Sequence, residues 1–253
     1  MASQDATGER VRTALITGST SGIGRVTAVA LAAAGLAVVV HGRDAERGKR
    51  VCAEIQDTGG TAALVLADLA DAGQVSELAE RAAAVTGGVD VLVNNAFEPG
   101  VYAPSADTSL DDFDRRVAVN VRAPFLLTAA LAPAMAARGE GAVINVSMAA
   151  ASKGVPGIAL TSATKAALEA LTRSWAAEYG PQGIRINTVS PGVVLTPANE
   201  HLLDQMNAFA SGTPARRPAQ AAEIAAVIAF LASPGASFVQ GANIAVDGGM
   251  LAV

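Results

Sequence analysis

Thr17-Gly18-Ser19-Thr20-Ser21-Gly22-Ile23-Gly24 joins the apolar run Val11–Thr17 to an Ala-rich stretch of helix length over residues 22–34. Glycines at such a junction let the chain turn tightly and let an anion's oxygens approach the backbone. The helix that follows points its free N–H groups at the same turn, which favours negative charge there. A glycine triplet alone is a weak signal. Here it follows a first strand, opens a helix and heads a long series of alternating elements, and that context decides the fold.

Outward from this turn, apolar runs recur at Ala37–His41, Ala62–Ala67, Val89–Val93, Ala142–Val146, Ile184–Val189 and Asn243–Val246. They are continuous in apolar character, as expected of strands buried on both faces of a parallel sheet. Helix-length stretches separate them near residues 22–34, 44–58, 71–86, 108–137, 156–179 and 220–232. The alternation predicts an α/β fold with about seven parallel strands and helices on both faces. A chain of 253 residues suits one such domain over residues 1–253, with 1–10 as a flexible polar N-terminus. The Pro-rich patch Thr213–Pro218 reads as a loop inside that domain.

Composition narrows the function classes. The net charge of −5 includes no basic concentration suited to nucleic acid. Hydrophobic residues make up 51%, but the uncharged stretch Val26–Val40 is too short to span a bilayer, so no membrane role is expected. Met1–Arg10 lacks the apolar core of a signal peptide, and a cytoplasmic location is the expectation. The lone Cys52 excludes an internal disulfide, and His41 and His201 are too isolated for a metal cluster.

In open parallel sheets the ligand lies beyond the carboxyl ends of the strands, at the switch in strand order. Strand two ends in His41-Gly42-Arg43. A dinucleotide with a free ribose 2′-OH is usually held there by an acidic residue. Gly42 stands in that place and Arg43 follows, a planar fork of donors suited to a 2′-phosphate, unless it is simply a solvated surface residue. Arg25, just past the turn, can add charge. The expected cofactor is therefore NADP(H).

With these residues assembled, the chain from Val11 to Gly249 resembles the short-chain dehydrogenase/reductase family, a single-domain doubly wound fold of the Rossmann type. The turn has the family's Thr-Gly-three-Gly-Ile-Gly form. Asp68-Leu69 resembles its adenine-contacting strand end, and Asn94-Asn95-Ala96 its Asn-Asn-Ala-Gly strand end. Asn120 matches its helix Asn, and Pro191-Gly192, Val194 and Thr196 fall in its nicotinamide-holding element. The resemblance implies a cofactor site formed by Gly18, Ser19, Thr20, Ser21, Gly22, Ile23, Gly24, Arg43, Asp68, Leu69, Asn94, Ala96, Lys165, Pro191, Gly192, Val194 and Thr196. It also implies a homo-oligomer, a tetramer, formed through the long Ala-rich helices, because small residues let such helices approach closely.

The resemblance fails at the chemistry. The family's Tyr protonates the substrate oxygen, a Lys four residues later lowers its pKa, a Ser hydrogen-bonds the oxygen, and the helix Asn holds a relay water. Aligned through Asn145, the Ser position is Met148 and the Tyr position is Thr161, while Lys165 and Asn120 remain. Ser147 lies one residue early, on the opposite face of its strand. Thr161 can orient a water but is a poor acid beside a phenol of pKa about 10. Tyr179 reads as packing. Tyr102, in the loop after strand four, either reaches the pocket or packs at its rim. Phe97 replaces the family's Gly and either walls off the pocket or stacks on an aromatic substrate. The reading is an NADPH-dependent reductase of a carbonyl or quinone-like small molecule. The alternatives are a non-redox enzyme (isomerase, dehydratase or cyclase) on the same scaffold and a non-catalytic NADP-binding protein.

Overall fold

The computed structural model describes residues 10–100 and 102–253, so the expectation of a flexible N-terminus lies outside the described residues except at Arg10. Seven strands, β1 (Thr13–Ile16), β2 (Ala37–Gly42), β3 (Ala62–Leu66), β4 (Val91–Asn94), β5 (Gly141–Val146), β6 (Ile184–Pro191) and a final β9 (Asn243–Val246), form one sheet. Its order is β3-β2-β1-β4-β5-β6-β9, and every pairing is parallel. The order reverses at β1, which pairs with both β2 and β4. A two-stranded ladder, β7 (Val194–Leu195) with β8 (Ala219–Gln220), sits apart from the main sheet.

Side chains alternate across the sheet. Leu15, Val39, Leu92, Val143 and Ile186 enter one core; Ala14, Ile16, Val38, Val40 and Ile144 enter the other. Both faces are therefore covered, which is why the strands lack polar alternation. The first core is closed by α3 (Ala72–Thr86), α5 (Ala123–Arg138) and α6 (Ala159–Tyr179) through Leu78, Leu127 and Leu168. The second is closed by α1 (Gly22–Ala33), α2 (Ala45–Asp57) and α8 (Ala221–Ala232) through Leu31, Ile55 and Ile228. Tyr179 packs on the first core and Cys52 is buried in the second, where burial pushes its thiol pKa up.

The long stretch expected at 108–137 is α4 (Leu110–Val117) running through a π turn, Ala118–Arg122, into α5. Together, Leu110–Arg138 is long and apolar enough to cross a membrane, but half of its most apolar window is buried in the fold. A helix absent from the sequence reading is α7 (Leu203–Ser211). It is short and has no side-chain N-cap, so its signal is weak; burial of Met206 and Ala210 holds it.

Candidate active site

A cavity of about 660 Å³ opens at the carboxyl ends of β1 to β6. One end is the glycine turn. Gly18 and Gly22 have φ of +65° and +53°, and a Cβ on Gly24 would lie 2.4 Å from Gly18 O. Glycine is thus required sterically at this turn. Asp44, Asp71 and Ser109 cap α2, α3 and α4 with their side chains. By contrast, the N-cap Ser21 of α1 makes no side-chain bond, and its first turn holds no acidic residue. The amides that face the cavity are therefore left to a bound anion.

The turn is braced from beneath. Ser19 is fully buried; its hydroxyl donates to Ile16 O (2.8 Å) and accepts from His41 N (2.9 Å), so it supports the loop and does not line the cavity. Gly18 N–H donates to His41 Nδ1 (3.1 Å), while His41 Nε2 meets Ala67 O at 3.2 Å. One ring thus ties the turn to the end of β3. Accepting at Nδ1 and donating at Nε2 requires neutral imidazole, and burial lowers its pKa to about 4.

Asn94, expected at the cofactor site, does not line the cavity. Its amide donates to Asn145 Oδ1 (2.8 Å) inside the sheet. Asn95 takes its place at the cavity, donating to Thr17 O (2.8 Å) and Gly18 O (3.2 Å). A strand's alternation explains the exchange, since adjacent side chains face opposite ways. The other expected cofactor residues, Gly18, Thr20, Ser21, Gly22, Ile23, Gly24, Arg43, Asp68, Leu69, Ala96, Lys165, Pro191, Gly192, Val194 and Thr196, all line the cavity. Asn199 fixes that last segment, accepting from Thr196 N and donating to Val194 O. Arg43 is exposed and Arg47 lines the same end. Arg25, expected to add charge there, is held bidentately by Glu54 (2.9 and 2.6 Å), outside the lining.

At the inner end, Lys165 is 3% exposed and donates to Val146 O at 2.7 Å. Burial lowers its pKa to about 8. The Phe97 ring centroid lies 5.0 Å from its Nζ. Met148 lines the cavity and presents a thioether where the resemblance has a hydroxyl. Ser147 also lines the cavity, but its hydroxyl donates its proton to Glu169 Oε1 (2.7 Å) and so does not offer it to a substrate oxygen.

Thr161 does not line the cavity. Its hydroxyl accepts from Arg116 Nη1 (3.1 Å) and donates its one proton to Pro99 O (3.1 Å), so that proton is committed away from the cavity and from any water there. Asn120, in the π turn, accepts from Glu98 N (2.8 Å) and donates to Glu98 O (3.1 Å) and Thr164 Oγ1 (3.2 Å). The resemblance gives this amide a relay water; here it clamps the loop after β4. Tyr102 is 64% exposed, packs beside Gly157 and lies outside the lining, at the rim. Glu98, Arg115 and Arg116 had no family signal; they became visible only when α4 was laid beside the loop. Among the described residues, no cluster of His, Cys, Asp and Glu is suited to a metal ion.

Residues 18–251 match the family model described as enoyl-(acyl carrier protein) reductase. The chain is 40% identical to cis-4-hydroxycyclohexanecarboxylate dehydrogenase of Sinomonas cyclohexanicum, over 96% of this chain and 97% of that protein. A solved short chain dehydrogenase/reductase family protein superposes with a TM-score of 0.88 at 47% identity, covering 96% of this chain and 98% of the other. The 3-oxoacyl (acyl-carrier-protein) reductase of Agrobacterium tumefaciens C58, solved with NADP bound, gives 0.90 at 32% identity, covering 94% and 93%.

Proposed function

The chain belongs to the short-chain dehydrogenase/reductase family of oxidoreductases, and from that premise we propose that it is an NADPH-dependent reductase of a planar conjugated carbonyl compound, such as a quinone or polyaromatic ketone. It works without a phenol acid. The observation that carries this reading is the state of Thr161: it lies outside the cavity lining with its one proton committed to Pro99 O, while Lys165 remains at the inner end of the cavity.

The cavity fits the dinucleotide. The glycine turn and the α1 amides suit the pyrophosphate, Asp68 and Leu69 the adenine, and Arg43 with Arg47 the 2′-phosphate. Pro191, Gly192, Val194 and Thr196 suit the nicotinamide amide, and Lys165 the adjoining ribose. The bound cofactor supplies hydride. What remains for this chain's own residues is the negative charge left on the substrate oxygen.

Lys165 is the cation for that charge. With a pKa of about 8 it is protonated at neutral pH yet able to release a proton. Met148 adds no hydrogen bond, so the reacting oxygen lacks a hydroxyl donor from that position. Losing a positioned acid costs roughly 10²–10⁴ in rate. A substrate that spreads the charge over a conjugated system tolerates that loss, and this is why the proposal favours quinone-like carbonyls over simple ketones.

The same reading makes one domain carry both the cofactor and the substrate ends, in a cytoplasmic homotetramer. Support for the oligomer is an open apolar groove beside α5 and α6, lined by Val117, Val121, Phe125, Ala167, Ala170 and Leu171. The deciding experiment follows the absorbance of NADPH with a panel of quinones, polyaromatic ketones and simple ketones. Turnover confined to the conjugated compounds supports the proposal. Tight NADPH binding with no turnover on any of them overturns it in favour of a non-redox or non-catalytic role.

A further inference from the structure

Phe97 lines the cavity two residues after Asn95, with its ring 5.0 Å from the Lys165 amine. Phe97 is itself 44% exposed, whereas Lys165 is almost fully buried. The loop that carries the ring is fastened. Both backbone groups of Glu98 are held by Asn120, the Glu98 carboxylate by Arg115 (2.9 Å), and Pro99 O by Thr161. Gly100 lies on the Arg116 side chain so closely that a Cβ there would come within 1.8 Å of the guanidinium. These contacts fix the segment of backbone that presents the ring beside the amine.

We propose that Phe97 is the cap that keeps the Lys165 amine out of water and so decides how readily it gives up a proton. It is a positioning residue, acting through Lys165, and its importance for turnover rests on the reading of Lys165 given above.

The physics has two opposed parts. Exclusion of water disfavours the charged amine. The ring face, at cation–π distance, favours it. The amine's pKa is lowered, with burial as the cause. No ion pair contributes among the described residues. On its own helix Glu169 accepts from Ser147 and Ser190. Across the cavity Glu98 and Arg115 bind each other, and Arg115 also lies 3.8 Å from Asp68. Arg43 and the Asp44–Arg47 pair stand at the glycine-turn end. The Val146 carbonyl, 2.7 Å from the amine, favours the charged form, so the lowering comes from burial, to which the Phe97 ring contributes.

The chain has three lysines, Lys49, Lys153 and Lys165, so the amine can be watched directly. Lysines labelled with ¹³C at Cε are titrated by NMR in the full-length protein, with and without NADP, and Lys165→Gln assigns the resonance. The wild-type midpoint is expected near 8. Phe97→Gly admits water and is expected to raise it by at least about one pH unit, toward the ordinary lysine value. Phe97→Ser serves if the glycine variant fails to fold, with the same expectation. Phe97→Leu keeps an apolar cap but removes the ring face, and is expected to lower the midpoint. Phe97→Tyr restores the wild-type value.

A Lys165 midpoint that stays within about 0.3 unit in the folded Gly or Ser variant overturns the proposal. The alkaline limb of the rate–pH profile tests the underlying reading separately. If the NMR midpoint moves and that limb does not, the cap stands and Lys165 is not the proton-bearing group of the reaction.

Discussion

Arg116 Nη1 donates to the Thr161 hydroxyl at 3.1 Å, and the same hydroxyl donates to Pro99 O at 3.1 Å. The guanidinium is buried and is also held by Asp112 at 3.0 Å, one helical turn away. A buried cation needs such partners, because the interior does not solvate it. The position four residues before Lys165 is therefore a structural crossing point joining α4, the loop after β4 and the start of α6. It holds the loop that presents Phe97 to the cavity.

Thr161→Ala tests this directly. It removes one partner of a buried cation and one of a carbonyl, so stability is expected to fall by about 1–3 kcal/mol. Turnover at saturating NADPH is expected to drop less than about tenfold, because no acid is lost. Lys165→Ala is expected to cost at least about a hundredfold. Thermal denaturation and steady-state rates check both. Abolished turnover in a folded, NADPH-binding Thr161→Ala protein would show that Thr161 handles the proton.

Thr161→Tyr with Met148→Ser, which restores the residues the family resemblance expects, is predicted to fail as a gain of function. A phenol needs the space taken by Arg116 and by Pro99–Gly100. Overpacking costs about 1–3 kcal/mol. Adding Arg116→Val is expected to recover stability and produce measurable reduction of simple ketones. Ketone turnover by the double variant alone, with no loss of Tm, contradicts the crowding argument.

The cofactor end makes a separate prediction. Arg43→Ala is expected to weaken NADP binding at least tenfold, about 1.4 kcal/mol, with little change for NAD. Gly42→Asp installs a carboxylate where a ribose hydroxyl would meet it, but its Cβ would come 2.5 Å from Thr20 Cγ2. It is therefore expected to reverse the preference only when paired with Thr20→Ala. Equal affinities of the wild type for NADP and NAD by calorimetry would refute the role given to Arg43.

His41 predicts an acid limb in stability. Its ring titrates near 6.5 in the unfolded chain and near 4 when folded, because burial excludes the charged form. Between those values the unfolded state binds the extra proton. The contribution is complete above pH 6.5 and is lost as pH falls toward 4, by about 3 kcal/mol in all. Protonation also ends the bond from Gly18 N–H, so NADP affinity is expected to weaken over the same window. Chemical denaturation of the wild type and of His41→Gln between pH 4 and pH 7 checks it; an unchanged pH slope in the variant removes the assignment.

Sedimentation at micromolar concentration is expected to give a tetramer. Phe125→Glu, in the open groove beside α5 and α6, is expected to dissociate it without unfolding the chain. A wild-type monomer would leave the groove without an occupant.

By itself the sequence determined the sheet, its parallel strands and the cofactor end. Those features follow from local rules: glycine at a turn that admits no Cβ, apolar runs of strand length and helices between them. It also located Lys165, Met148 and Thr161 by their spacing in the chain. Tertiary structure alone decided what those groups touch. Asn94 and Asn95 differ only in which way a strand turns them, and only the assembled sheet shows that the second faces the cavity. Arg116 and Thr161 are 45 residues apart in the chain. Arg116 looks like an ordinary helical charge until α6 and the loop after β4 close over it. Hydrogen bonds and burial between distant segments depend on how the elements pack, and no local pattern carries that information.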